Sequence, residues 1–392
     1  MKNGERILFI ELCNFVDYPL GGHLSFAKHL TRAMAGGIDL VGLTTDAEEP
    51  VGEWLTKPVE GAEYRLFNVA RVVPSSKRPL VPSRVTNYFL MRRFASRIEW
   101  GRYPVILIQT PEILFAVPKN VLPRTILVMP GVGNPLAISR YPWARRLAGL
   151  YDCVFFRRAC GVRKLLAAAD KGAVAGFVAR GRGRISASKV LQFPTRYDER
   201  IFHVKSATEL RTAYDIPSGS KLIVTTGRLN WFKGWQLMLD AFFLFRNKHE
   251  GARFVFIGDG EDRPRIEDYV RAHSAQGEVM FLGQQSLATI SDWLCMADLF
   301  VMGSFKEGWS TSLVEATACG AACVVTDFSS AAEMVVDGVN GFVLHDRDAR
   351  HFAEAMEKAL LLDKGQLRKT AQDMERLAVK NMRQDFLNAI KG

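Results

Sequence analysis

The chain has 392 residues, 48% apolar and 24% charged, the balance of a globular protein with a full core and room for two or three domains. This composition excludes disordered, collagen-like and coiled-coil classes, and six cysteines with no C-x-x-C pair exclude a disulfide scaffold. The net charge of +11 is uneven: residues 1–196 carry 29 Lys and Arg against 14 Asp and Glu, whereas 197–392 carry 23 against 27.

From the amino terminus, Lys2 and Arg6 precede the apolar run Ile7–Ile10, but Glu11 ends it at once. That reads as a buried first strand and not as a signal segment. No run reaches the ~20 apolar residues of a membrane helix, so a cytoplasmic protein with reduced thiols is expected. Further strands are expected at Leu40–Leu43, Val105–Ile108, Ile126–Met129 and Val174–Phe177. In the second half they are expected at Leu222–Thr225, Phe254–Ile257, Val279–Leu282, Leu299–Met302, Cys323–Thr326 and Phe342–Leu344. Helical patterns at His23–Met34, Trp235–Lys248, Pro264–His273 and Ser312–Cys319 lie between them. Continuous apolar runs suit parallel strands buried on both faces, so the expected class is α/β, doubly wound. A boundary falls near Gln192–Phe202, giving Rossmann-like domains at 1–195 and 196–375 with a tail at 376–392.

Two stretches hold the excess positive charge. Arg71 to Arg97 contains Arg71, Lys77, Arg78, Arg84, Arg92, Arg93 and Arg97 with no acid; Arg140 to Lys189 contains twelve basic residues against Asp152 and Asp170. An anionic partner is expected for this half. Trp143, Leu147, Leu150 and Val154 recur at helical spacing beside Arg145, Arg146, Arg157 and Arg158. Such a stripe is either a helix lying among lipid headgroups or an ordinary core-facing helix with a solvated basic side. No RNA- or DNA-reading motif accompanies the charge, so no nucleic-acid partner is expected.

In an open parallel sheet ligands bind beyond the carboxyl ends of the strands, and four loops there look specialised. Gly21-Gly22 opens the first helix, where a backbone can approach a phosphate or sugar. Gly227-Arg228-Leu229-Asn230-Trp231-Phe232-Lys233-Gly234 places two cations five residues apart, suited to clamp a diphosphate. Gly258-Asp259-Gly260-Glu261 is a tight turn. Glu307-Gly308-Trp309-Ser310-Thr311-Ser312-Leu313-Val314-Glu315 sets two carboxylates, suited to hydroxyls, around the start of a helix whose backbone N–H groups suit phosphate oxygens.

The span from Glu307 to Glu315, continuing through Glu333 and Gly341, resembles the E-x(7)-E donor site of glycosyltransferase family 4. The G-R-L-x-x-x-K-G run, the Gly258-Asp259-Gly260 turn and Phe281-Leu282-Gly283 stand in that family's order, over about residues 220–345. The resemblance implies a GT-B fold, two Rossmann-like domains facing across a cleft, with the last helix (about Gln366–Ile390) crossing back to the first. It further implies retaining, metal-independent transfer from a nucleotide sugar, UDP- or GDP-linked, which is a substrate and not a cofactor. By position, Arg228 and Lys233 would bind the diphosphate, Glu307 the transferred sugar and Glu315 the ribose. Gly227, Gly258 and the amides from Gly308, Trp309, Ser310, Thr311 and Ser312 to Leu313 would complete the cradle, and Gln284-Gln285 would face the base. The pair Asp346-Arg347-Asp348 reads as a surface turn.

One departure concerns the first domain, where many members carry a histidine at a strand end. The corresponding ends here hold none, leaving Gln109, Glu112 or His23 for that place. The expected acceptor is anionic, lipid-linked or of lipopolysaccharide type, in bacterial surface-polysaccharide synthesis, with Lys77, Arg78, Arg84, Arg92, Arg93, Arg145 and Arg146 meeting it or the inner membrane face. The alternatives are a soluble small-molecule acceptor and a catalytically silent binding subunit.

Overall fold

The computed structural model of the chain describes residues 6–16, 22–73, 83–137, 142–217 and 219–391. It divides into two compact units, with one crossing between Thr195 and Arg196 and a second between Ala378 and Val379. The second crossing lies three residues beyond the position read from the sequence.

In the first unit the strands are β1 (Ile7–Ile10), β2 (Ile38–Thr44), β3 (Trp54–Val59), β4 (Ala62–Arg71), β5 (Val105–Ile108), β6 (Thr125–Met129), β7 (Lys164–Ala167) and β8 (Val190–Gln192). They form one sheet in the order β3-β4-β2-β1-β5-β6-β7-β8. Every neighbouring pair is parallel except β3–β4, a hairpin turned at Glu60-Gly61, both with positive φ (48° and 82°) as such a two-residue turn requires. Pro58 and the half-exposed residues of β3 hid this edge hairpin from a search for apolar runs.

Two sequence-based elements are corrected. Val174–Phe177 is not a strand but part of the helix Lys171–Arg180, started by Asp170, whose carboxylate accepts from the Ala173 N–H at 2.7 Å. A four-residue apolar run does not separate a strand from a helix, and the capping aspartate decided it. Gln366–Ile390 is not one helix. Lys364–Asp373 is followed by a 3₁₀ turn, Met374–Leu377, and Ala378 turns extended (ψ 148°) before Val379–Lys391. Met382, Phe386 and Ile390, one helical face, enter the first unit's core with Phe9, Leu24 and Phe193.

β1, β2 and β5 are pinned by a charge within the sheet. Asp39, fully buried, accepts from Arg6 Nε at 2.6 Å and from the Tyr103 hydroxyl at 2.9 Å. Burial, followed by Asp39, holds the Tyr103 phenol well above its usual range. Asp39→Ala leaves both donors unmatched and is expected to cost about 3 kcal/mol, read by urea unfolding. Asp39→Asn, which still accepts from Tyr103, is expected to cost less, and equal losses would remove the assigned role.

In the second unit the strands are β9 (Leu222–Thr226), β10 (Arg253–Ile257), β11 (Val279–Gly283), β12 (Leu299–Met302), β13 (Ala322–Thr326) and β14 (Gly341–Leu344), all parallel, in the order β11-β10-β9-β12-β13-β14. Phe242, Phe254, Phe256, Val301 and Met356 centre its core. In both sheets the chain order reverses beside the first strand of the unit, between β1 and β5 and between β9 and β12. The loops leaving such neighbours part to opposite faces and open a crevice at their carboxyl ends.

Candidate active site

The crevice of the second unit lies between the loops after β9 and β12. Their approach demands glycine, since a Cβ on Gly234 (φ +67°) would stand 1.8 Å from the Gly303 carbonyl oxygen; so does that of the loop after β10, where a Cβ on Gly258 (φ +136°) would stand 2.0 Å from the Gly227 carbonyl oxygen. A pocket here is lined by Thr225, Thr226, Gly227, Arg228, Asn230, Lys233 and Met302, among others.

Lys233, on that lining, pairs with Glu307, 74 residues away in sequence. Lys233 Nζ donates to Glu307 Oε1 at 2.8 Å, and Ser304 Oγ donates to the same oxygen at 2.6 Å. Arg228 instead pairs with Glu261, Nε to Oε2 at 3.0 Å, in an exposed ion pair. Exposed pairs of this kind contribute at most ~1 kcal/mol, so a ligand phosphate can take the guanidinium over cheaply. Glu315 lies one turn into the helix Thr311–Ala318. Desolvation alone pushes its carboxyl from 4.5 up to about 8, so near neutrality the protonated form is favoured. Gln284 is exposed after β11.

Two parts of the expected cradle are otherwise employed. Leu313 is buried and its N–H donates to Ser310 Oγ at 3.3 Å as the helix cap, while the Ser310 N–H points to Ser330 Oγ at 3.5 Å. A serine at this cap position satisfies an orphan amide of the first turn itself. Gly308, Trp309, Thr311 and Ser312 complete the loop and the helix start. Gly21, Lys77 and Arg78 lie outside the described residues, as does the side chain of His23; Gly22 begins the helix Gly22–Ala33.

Sequence reasoning missed several groups. Thr226 Oγ1 and Asn230 Oδ1, on the pocket lining, are buried without a hydrogen-bond partner among the described residues, as is the indole Nε1 of Trp309, expected at the site only through its backbone amide. Buried polar atoms are nearly always matched, and those left open at a crevice suit a polar ligand. Asn230 stands inside the G-R-L-x-x-x-K-G run and Glu261 ends the Gly258-Asp259-Gly260 turn, signals that were available; Ser304 carried none. In Asp346-Arg347-Asp348, Asp348 caps the helix Ala349–Ala359 and Asp346 pairs with His351 Nδ1, while Arg347 turns onto the Gly303 carbonyl.

At the crevice of the first unit, Thr110 Oγ1 donates to buried Glu11 at 2.9 and 3.0 Å, and Gln109 is fully buried. Glu112 accepts from Arg84 at 2.5 Å and from the Tyr151 hydroxyl at 3.4 Å; its Oε2 is buried without a partner among the described residues. Burial, followed by Glu112, raises the Tyr151 phenol far above its usual range. Helices Ser83–Phe94 and Ala148–Ala159 both pack on the Pro111–Phe115 turn that carries Glu112. Arg92, Arg93, Arg145 and Arg146 are exposed. So is the apolar stripe: Trp143 is 64% exposed, Leu147 42%, Leu150 62% and Val154 45%. The stripe is not one helix: Trp143 lies on the short helix Pro142–Arg146, and Leu147 stands between it and Ala148–Ala159, whose buried side is Phe155, Phe156 and Ala159, so the core-facing alternative is set aside. Among the described residues no helix is long and apolar enough to cross a membrane.

This pair of sheets, each reversing beside its first strand, is the GT-B glycosyltransferase architecture. The Anabaena HepE structure in complex with UDP-glucose superposes with a TM-score of 0.70 over 98% of this chain and 99% of that one, at 16% identity. Residues 206–378, most of the second unit, match the family described as glycosyl transferases group 1. The N-acetyl-alpha-D-glucosaminyl L-malate synthase of Bacillus anthracis is 27% identical over 157 residues, 40% of each chain. The N,N'-diacetylbacillosaminyl-diphospho-undecaprenol alpha-1,3-N-acetylgalactosaminyltransferase of Campylobacter jejuni is 30% identical over 147 residues, 38% of this chain and 37% of that one. The matched segments thus span about two fifths of these curated relatives.

Proposed function

We propose that the chain is a glycosyltransferase that moves a hexose from a nucleotide-sugar donor with retention of configuration and without a metal. The observation that carries this is the meeting of Lys233 and Glu307 at the β9/β12 crevice, beside Arg228 and the start of the Glu315 helix. On binding, the diphosphate draws Lys233 and Arg228 onto its oxygens, and Glu307 turns to the hydroxyls of the transferred sugar. As the bond from C1 to the phosphate oxygen breaks, its electron pair stays on the diphosphate, where the two cations stabilise it. The acceptor oxygen bonds to C1, and its proton passes to the released phosphate. UDP is favoured in the donor because HepE, of the same fold, was solved with UDP-glucose. Thermal denaturation with UDP, GDP and their sugars, without added metal, tests this. A ligand at 100 times its dissociation constant adds about 2.7 kcal/mol. Stabilisation by one nucleotide, reduced in Arg228→Ala, is expected, and the absence of any shift would overturn the reading.

The acceptor is proposed to be anionic and lipid-linked, reached from the membrane surface. The exposed stripe Trp143, Leu147, Leu150 and Val154, with Arg92, Arg93, Arg145 and Arg146 on neighbouring elements, has the apolar and cationic composition that binds anionic bilayers. The name of the Campylobacter relative specifies a diphospho-undecaprenol acceptor; that of the Bacillus relative specifies malate, a soluble one. Sedimentation with vesicles decides between them. Binding to phosphatidylglycerol-containing vesicles, weakened by salt and by about tenfold or more in Arg92→Glu/Arg93→Glu, is expected at ~1 kcal/mol per basic residue. Wild-type protein remaining in the supernatant points to the soluble acceptor.

A further inference from the structure

Beside the Lys233–Glu307 pair stands a group of aromatic rings that neither the fold nor the diphosphate site requires. Trp231 is 57% exposed and Phe305 50% exposed, each two residues from a member of that pair. Their centroids are 5.5 Å apart, and Phe232 lies 4.6 Å from Trp231 and 6.3 Å from Phe305. The rings are held firmly. The Phe305 N–H donates to the Phe232 carbonyl at 2.9 Å, tying the two loops, and the Gly234 N–H closes the Trp231 turn at 3.0 Å. Arg347, anchored on the Gly303 carbonyl at 2.7 Å, places its guanidinium 3.6 Å from the Phe305 centroid and covers one face of that ring.

Two such rings left half in water forgo much of the gain that burial would give them. Rigid exposed aromatics next to a polar site mark a place where a ligand supplies the missing contact. We propose that Trp231 and Phe305 form a stacking subsite for a pyranose ring of the acceptor. A pyranose offers an apolar C–H face to an aromatic and a rim of hydroxyls to the polar groups alongside, the combination that Trp231–Phe305 and the neighbouring Lys233–Glu307 present. The donor sugar is engaged by Glu307 within the crevice, so the exposed rim falls to the acceptor. This inference rests on the donor reading of the Lys233–Glu307 site.

Saturation-transfer NMR on the full chain tests it, with the methyl β-glycosides of glucose, galactose and N-acetylglucosamine as probes and UDP present. Transfer to the ring C–H protons of at least one glycoside is expected. Trp231→Ala and Phe305→Ala are each expected to weaken it by about tenfold, the weight of one aromatic stack, with UDP affinity unchanged. No transfer to any glycoside, or equal transfer in both variants, overturns the subsite. Transfer confined to the alkyl protons of octyl β-glucoside also overturns it and gives the surface to a lipid chain. Wild-type protein that fails to bind UDP defeats the donor reading separately, while the glycoside signals still report on Trp231 and Phe305.

Discussion

Lys233→Ala is expected to lower the rate of sugar transfer by about a hundredfold or more, the scale on which one preorganised charge at a developing oxyanion acts. In the structure Lys233 is committed to Glu307 at 2.8 Å, so the variant also removes the cationic partner of a carboxylate that keeps the Ser304 hydroxyl as a donor. The two effects separate in a double-mutant cycle. Glu307→Gln and Lys233→Ala, being in contact, should combine to much less than the sum of their single effects, as coupled neighbours do. Lys233→Arg keeps the charge and should retain nucleotide binding while losing rate, because a planar fork cannot reproduce a point charge at the same spot. The checks are single-turnover transfer and UDP titration for each variant. Additive losses would place Lys233 and Glu307 in independent roles and dismantle the site as drawn.

Glu315 is expected to govern how stability depends on pH. Its carboxyl rises from 4.5 to about 8 through desolvation, so between these values the native chain holds a proton that the unfolded chain has released. A folded state that binds the extra proton loses stability as pH rises, and the contribution is fully present only below about 4.5. Glu315→Gln cannot titrate. Relative to this variant, wild type should lose up to about 4 kcal/mol from pH 4.5 to 8, measured by urea unfolding of both proteins across the range. Parallel curves would show that Glu315 is solvated and ionised. The same carboxyl, neutral at pH 7, can both donate to and accept from ribose hydroxyls without repelling the diphosphate. Glu315→Ala should therefore weaken UDP binding by about tenfold or more, and Glu315→Gln by less.

The loops that form the candidate site were legible in the sequence because they are written in short-range terms. Gly234, before the helix that follows β9, and Gly258, at the end of β10, stand where a Cβ would run into a neighbouring backbone, so these substitution-intolerant positions flank the loop that carries Arg228 and Lys233. The continuous apolar runs of the second unit gave its six parallel strands, since a strand buried on both faces has no polar alternation to confuse the reading. The eight-residue spacing from Glu307 to Glu315 set one carboxylate on the loop and one on the first turns of a helix from helical geometry alone.

What the sequence by itself determined, then, was the α/β class, the second unit's strands and the four loops of interest; the apolar spacing from Trp143 to Val154 it read as one helix, which the structure breaks at Leu147. The tertiary structure alone decided which side of that stripe met a partner: Phe155 and Phe156 reached the core and left Trp143 and Leu150 in water. It also decided that Arg228 rests on Glu261, that the Leu313 amide closes its own helix cap, that Val379–Lys391 belongs to the first unit's core, and that Trp231 and Phe305 stand together. The physical reason is common to all of these. Periodicity and spacing act over a few residues of chain, whereas a partner for a charge, an amide or an aromatic face is chosen through space, from segments up to hundreds of residues away that only the folded sheets bring within a few ångströms.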